Sequence, residues 1–286
     1  MSLLNKMKYL FLDIDGTLYD HEKKEIPESA QRAVRMAQEK GHHIFICTGR
    51  PCCLLAHVEK LPFEGVIASA GAYVKVGNRV IYEEGMQEES LDEIAGYCDS
   101  LHISYLLEGK QGVYLQPMLR AFFEKGEGQA ASGHEFFKQK PIHGLEEYDP
   151  EKETIYKLCL YAKGEEAFHE LEKRLPEKYH LALGKADATH PYSAELTLTK
   201  NHKASGIRRI MENCQGTASD RKAMTDIMAD TIAVGDSLND LEMLQECGIG
   251  IAMGNADERL KPYADYVTAD IDKNGIYLAF EKFGLL

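Results

Sequence analysis

Four short stretches of this 286-residue chain carry residue types suited to building a reactive site. The first is Asp13-Ile14-Asp15-Gly16-Thr17, which follows the apolar run Tyr9-Leu10-Phe11-Leu12. Side chains on a strand alternate, so Asp13 and Asp15 leave one face close together. Like charges at that separation repel, and the pair persists only with a cation between them or a proton on one of them. Taken alone, the same stretch also reads as an Asx turn closing a strand. The second stretch, Cys47-Thr48-Gly49-Arg50, ends another apolar run; by itself it is an ordinary strand-to-helix loop. The third is Lys203, in the first turn of a helical pattern whose apolar face includes Ile207, Ile210 and Met211. A cation there opposes the helix dipole unless an anion lies close. The fourth is Gly235-Asp236-Ser237-Leu238-Asn239-Asp240, where a cap needs one polar residue and Asp236, Asn239 and Asp240 exceed that need. Their spacing is that of a cation site.

The elements that must position these residues follow from hydrophobic period. Apolar runs predict strands at 8–14, 43–47 and 66–69, and a helix at 28–40, where Pro27 suits the first turn and Ala30, Ala33, Val34 and Ala37 fall at helical spacing. The same rhythm returns with strands at 231–235, 249–252 and 265–268 and a helix at 239–247. Strand, helix, strand in that order makes a parallel sheet. Ligands bind such sheets in the crevice at the C-terminal ends of the strands. Asp13, Asp15, Thr48, Asp236 and Asp240 all fall at such ends. The texture between about 84 and 195 differs. ISYLLEG and GVYLQP, separated by a short turn, predict a hairpin, with further strands at 154–161, 179–184 and 192–198 and helices at 88–100 and 165–175. Segment 126–150 reads as loop with some helix. The middle region is therefore an α+β domain inserted into an α/β domain.

The ordered set DIDGT (13–17), CTGR (47–50), Lys203 and GDSLND (235–240) resembles the four motifs of the haloacid-dehalogenase-like (HAD) phosphatases. The stretch 248–268 with the later Asn274-Gly275-Ile276 resembles the tail of the Cof-type subfamily, and the insert is similar in position to that subfamily's C2-type cap. The resemblance implies an α/β fold with a Rossmann-like parallel-sheet core, residues 1–83 and 196–286, and an inserted α+β cap at 84–195. It implies a Mg²⁺-dependent phosphatase acting on a small phosphorylated metabolite, a sugar phosphate or similar, through an aspartyl-phosphate. Asp13 would be the nucleophile, and Asp15 would protonate the leaving alcohol and then deprotonate water. Lys203 and Thr48, with Gly16, Gly49 and Asn239, would hold the phosphate. The metal would take the Asp13 and Asp236 side chains and the Asp15 main-chain carbonyl, with Asp240 acting through water or on Lys203, while Thr17 orients the loop. A phosphomutase is the alternative, and a phosphate-ligand-binding protein without turnover a further one; the latter has no need of a proton-trading carboxylate. Two positions depart from the family pattern: Ala70-Gly71-Ala72 stands where Asn-Gly-Ala is usual, and Ala204 where Gly is usual. Loss of the amide at position 70 removes a polar contact at the site or at the cap hinge.

Composition narrows the rest. A net charge of −13 without a basic cluster disfavours nucleic acid and anionic membranes. No apolar run approaches the roughly 20 residues of a membrane span, so no membrane partner is expected and a cytoplasmic location is. The seven cysteines form no CxxC pair and read as reduced core thiols. Eleven histidines are scattered without metal-ligand spacing and read as surface or core residues. Oligomeric state is left open.

Overall fold

Tyr9, Leu10, Phe11 and Leu12 are all buried, without alternation, as required of a strand covered on both faces. They form β1 (Tyr9–Leu12). The computed structural model describes residues 7–56, 58, 61–120, 141–184, 192–215 and 221–286. After β1 come α1 (Glu28–Glu39), β2 (His43–Cys47), β3 (Gly65–Ala68), β4 (Tyr73–Val76), β5 (Arg79–Glu83) and α2 (Glu88–Ser100). Next are β6 (Ser104–Gly109), β7 (Val113–Leu115), β8 (Ile142–Gly144), β9 (Ile155–Ala162), α3 (Glu166–Glu172), β10 (Tyr179–Leu183) and β11 (Tyr192–Leu198). The chain closes with α4 (Lys203–Gln215), α5 (Arg221–Met228), β12 (Thr231–Gly235), α6 (Leu241–Glu246), β13 (Ile249–Ala252), β14 (Tyr266–Val267) and α7 (Gly275–Lys282).

Two compact units result. The first comprises the described residues of Met1–Gly49, Ala56–Glu83 and His202–Leu286. Its eight-stranded sheet has the order β14-β13-β12-β1-β2-β3-β4-β5. The pairs from β14 to β3 are parallel, as the alternation of strand and helix requires. The hairpin β4–β5 adds an antiparallel edge that hydrophobic period did not reveal. α1 buries Ala30, Ala33, Val34 and Ala37, the stripe of an amphipathic helix on a sheet. The helix expected at 239–247 is a 3₁₀ turn over Leu238–Asp240 followed by α6.

The second unit comprises the described residues of Arg50–Leu55 and Glu84–Asn201. Its six-stranded sheet runs β10-β11-β9-β6-β7-β8, antiparallel except where β7 meets β8. One face packs on α2 and α3 through Leu91, Ile94, Phe168 and Leu171. On the other, Leu106, Val113, Leu115 and Leu119 enclose Leu54, which is why 50–55 belong to this unit although they directly follow Gly49. The boundary expected at 195/196 falls inside β11. That strand stays paired through Leu196↔Leu158 and Tyr179↔Leu198, so the unit continues to Asn201. Of the loop expected at 126–150, residues 126–140 lie outside the described residues; the remainder holds β8 and a 3₁₀ turn at Leu145–Glu147. Among the described residues no helix is long and apolar enough to cross a membrane.

Candidate active site

Strand register brings the site together. Leu12 lies level with Ile46 on one side and Val234 on the other, so Asp13 follows its strand where Cys47 and Gly235 end theirs. The Asp13 amide donates to the Val234 carbonyl at 3.0 Å, continuing the ladder one residue beyond β1. The chain then turns sharply, with the Leu18 and Tyr19 amides donating to the Ile14 carbonyl at 2.9 and 2.7 Å. Gly16 makes this turn at φ +78, and a Cβ there would lie 2.3 Å from Asp236 Oδ2. Only glycine fits such a position.

Lys203 is the hub. Its side chain is 1% exposed, and Nζ donates to Asp13 Oδ1 at 2.6 Å and to Asp240 Oδ1 at 2.5 Å. A buried ammonium without partners would be prohibitively costly, and here two carboxylates flank it. Asp240 is in turn fixed by its other oxygen, Oδ2, which accepts the Asp236 and Ser237 amides, each at 3.0 Å. Thr17 Oγ1 donates to Asp236 Oδ1 at 3.2 Å. The loop from Asp13 and the loop from Gly235 are thus tied through side chains more than two hundred positions apart.

The electrostatics are those of a site short of positive charge. Burial pushes the Asp13 carboxyl well above the ordinary range; Lys203 pulls it back, while Asp240, Asp236 and Asp15 push it further up. Burial and Asp240 push Asp236 up to about 7, against Lys203 and the Thr17 hydrogen bond. Burial alone would lower the Lys203 ammonium, but Asp13 and Asp240 outweigh it and hold it above the usual lysine value. Asp13, Asp236 and Asp240 each present an oxygen within 4.8 Å of the others. Hard oxygen donors with a surplus of negative charge fit a divalent cation of the Mg²⁺ type.

The other sequence-predicted residues are placed as follows. Asp15 is half-exposed on the turn after β1. Thr48 is buried at the end of β2, with its amide donating to the Ile67 carbonyl at 2.8 Å and its carbonyl accepting from Ala70 at 3.1 Å; Gly49 follows. Asn239 is exposed, and its Oδ1 accepts the Ser237 hydroxyl at 2.8 Å. Two residues beside the loop that follows Asp13 had no sequence signal. His21 Nε2 lies 2.7 Å from Asp15 Oδ1. Asn255 donates from Nδ2 to the Gly16 carbonyl and accepts the Ile271 amide at Oδ1, both at 2.8 Å. Spacing could not reveal either, because each contact is made by the path of a turn.

A parallel sheet whose strand ends gather a lysine and an acidic cluster, with a second α+β unit inserted between them in sequence, defines a hydrolase of the HAD type. The family model for haloacid dehalogenase-like hydrolases matches residues 10–280, and the chain belongs to that family. It is 32% identical to YkrA of Bacillus subtilis (strain 168), provisionally named a phosphatase, over 98% of both chains. It is 28% identical to YwtE of the same organism, named 5-amino-6-(5-phospho-D-ribitylamino)uracil phosphatase, over 94% of this chain and 96% of that one. Among solved structures it is similar to the HAD subclass IIB sugar phosphatase BT4131, with TM-score 0.78, 29% identity and coverage of 98% of this chain and all of the other. BT1666 from Bacteroides thetaiotaomicron, a phosphatase of the same superfamily, matches with TM-score 0.78 and 26% identity, covering 99% of this chain and 97% of that one. The protein is an enzyme, a HAD-family phosphatase.

Proposed function

We propose that the protein is a Mg²⁺-dependent phosphatase that hydrolyses a small phosphorylated metabolite, a sugar phosphate or similar, through an aspartyl-phosphate on Asp13. The observation that carries this is the Asp13 carboxylate, buried yet charge-paired with Lys203 at 2.6 Å. An Asp13 oxygen attacks phosphorus; the new O–P bond forms as the ester P–O bond breaks, and Asp15 gives its proton to the departing oxygen. Water then attacks the phosphoryl group, Asp15 takes the water's proton, and the Asp13–phosphorus bond breaks, returning the carboxylate and inorganic phosphate. Lys203 offsets phosphoryl charge from the start of α4, and Thr48, Gly16, Gly49 and Asn239 are the remaining phosphate-side groups of this reading. The residues that would hold the metal are Asp13 and Asp236 through their side chains and Asp15 through its main-chain carbonyl, with Asp240 fixing Lys203. When bound, the ion neutralises charge between the carboxylates and the phosphoryl oxygens. The substrate class is supported by the relatives' names, a sugar phosphatase and a phosphoribitylamino-uracil phosphatase, both of which act on phosphate esters of small molecules.

Asp13→Asn keeps the shape of the side chain and removes the nucleophile. It is expected to abolish release of p-nitrophenol from p-nitrophenyl phosphate while leaving the unfolding transition in place, and EDTA is expected to abolish wild-type turnover until Mg²⁺ is restored. Wild-type turnover by the Asn variant would reject the assignment.

A further inference from the structure

We infer that His21 is a positioning residue that holds the Asp15 carboxylate in the orientation needed to protonate the leaving group. The inference rests on the reading above in which Asp15 is the acid. Asp15 has a side chain 37% exposed, so packing alone does not fix its rotamer. Among the groups that meet it is the His21 ring, with Nε2 at 2.7 Å from Oδ1, within reach of a ring N–H donating to a carboxylate.

The backbone places that ring deliberately. Asp15 pairs with Tyr19 and Asp20 with Glu25 as isolated bridges. Asp20 and Glu25 exchange amide hydrogen bonds at 2.9 and 3.3 Å. The Asp20 side chain is buried and its Oδ1 accepts the Glu22 and Lys23 amides at 2.9 and 3.2 Å, closing an Asx turn around position 21. Tyr19 packs edge-on against the His21 ring, centroids 5.3 Å apart at 82°. Ring and carboxylate are therefore each held by the same short turn, and the contact adds an orienting donor where the reaction needs a fixed acid. The competing account is an exposed ion pair of little consequence. The two differ in what the contact should affect: an ion pair on the surface treats all substrates alike, whereas an oriented acid matters more as the leaving oxygen becomes more basic.

The test compares p-nitrophenyl phosphate with phenyl phosphate, which share an aryl frame while phenolate is the stronger base. With Mg²⁺ present, kcat/KM reports the step in which the ester bond breaks. Asp15→Asn is measured first and is expected to lower kcat/KM for phenyl phosphate far more than for p-nitrophenyl phosphate; equal losses would remove Asp15 as the acid and the inference with it. With that pattern established, His21→Ala is expected to lower kcat/KM for phenyl phosphate at least about tenfold more than for p-nitrophenyl phosphate. His21→Gln, whose amide can still donate to Asp15, is expected to recover most of the difference. Equal effects of His21→Ala on both substrates, or a Gln variant no better than Ala, would overturn the positioning role while leaving Asp15 as the acid.

Discussion

Lys203 decides the charge balance of the cluster, and removing it separates its two duties. Its ammonium is enclosed by Asp13 and Asp240, of which Asp240 is wholly buried. Replacing one partner of a buried pair leaves the others charged in a medium that solvates them poorly, at a cost of about 3–5 kcal/mol. Lys203→Met is therefore expected to lower the metal-free unfolding free energy by about that amount at pH 8, where the carboxylates escape least by protonation, and to abolish phosphate release. Lys203→Met with Asp240→Asn should regain part of the stability and none of the activity, since the second change removes one of the two stranded charges without restoring a cation at position 203. Urea unfolding of the single and double variants checks this. A Met variant as stable as wild type would mean the carboxylates do not depend on the lysine for their burial.

At the scale of elements, the end of β3 carries three consecutive residues with positive φ: Ser69 at 48°, Ala70 at 51° and Gly71 at 96°. Gly71 has no alternative, because a Cβ would lie 2.5 Å from the His202 carbonyl. Ala70 has one. Its amide is held on the Thr48 carbonyl at 3.1 Å, so the neighbouring strand end imposes the left-handed conformation, which costs an ordinary residue about 1–2 kcal/mol. The departure from the family's Asn-Gly-Ala thus has a backbone meaning: asparagine tolerates this region better than alanine. Ala70→Asn and Ala70→Gly are each expected to stabilise the protein by about 0.5–1 kcal/mol, raising Tm by about 1–3 °C; a lower Tm in both would show that the position carries no strain. The same stretch marks the limit of what sequence could convey. β1, β2 and β12 were legible because strands buried on both faces read as unbroken apolar runs, and α1 because its alanines keep helical spacing. The acidic cluster was legible because its members close those strands. The β4–β5 hairpin was not, since it is a half-exposed edge whose Lys75 and Arg79 break the apolar pattern. The allocation of 50–55 to the second unit depends on Leu54 meeting Leu106 and Val113, a contact that no local pattern encodes. His21 and Asn255 escaped for the same reason.

Across the whole core sheet, chemistry and stability occupy opposite ends of the strands. The C-terminal ends hold the acidic cluster, while the N-terminal ends carry a separate polar network that can be altered without touching the site. There Lys8 pairs with Asp230 at 2.9 Å, and the Lys8 amide donates to His42 Nδ1 at 3.1 Å. An accepting Nδ1 carries no proton, so protonation of that atom breaks the bond. Burial lowers the His42 pKa below its ordinary 6.5, and Lys40 and Lys8 lower it further. A histidine whose folded value lies below its unfolded value contributes stability that is fully present above about 6.5 and is lost as the pH falls below it, because the unfolded chain then binds the extra proton. The buried carboxyls work the other way. Asp13, Asp236 and Glu108 are all raised, chiefly by burial, so the folded state holds their protons more readily and gains stability on acidification. A single wild-type titration would mix the two signs. The difference between wild type and His42→Asn, which keeps an acceptor near the position of Nδ1, cancels the carboxyls and leaves the histidine. Urea unfolding from pH 7.5 to 5.5 is expected to show wild type losing stability relative to the variant as the pH drops through 6.5. A difference that stays constant over that range would mean His42 takes up its proton equally in the folded and unfolded chain, and one that moves in favour of wild type would mean burial raises its affinity for the proton.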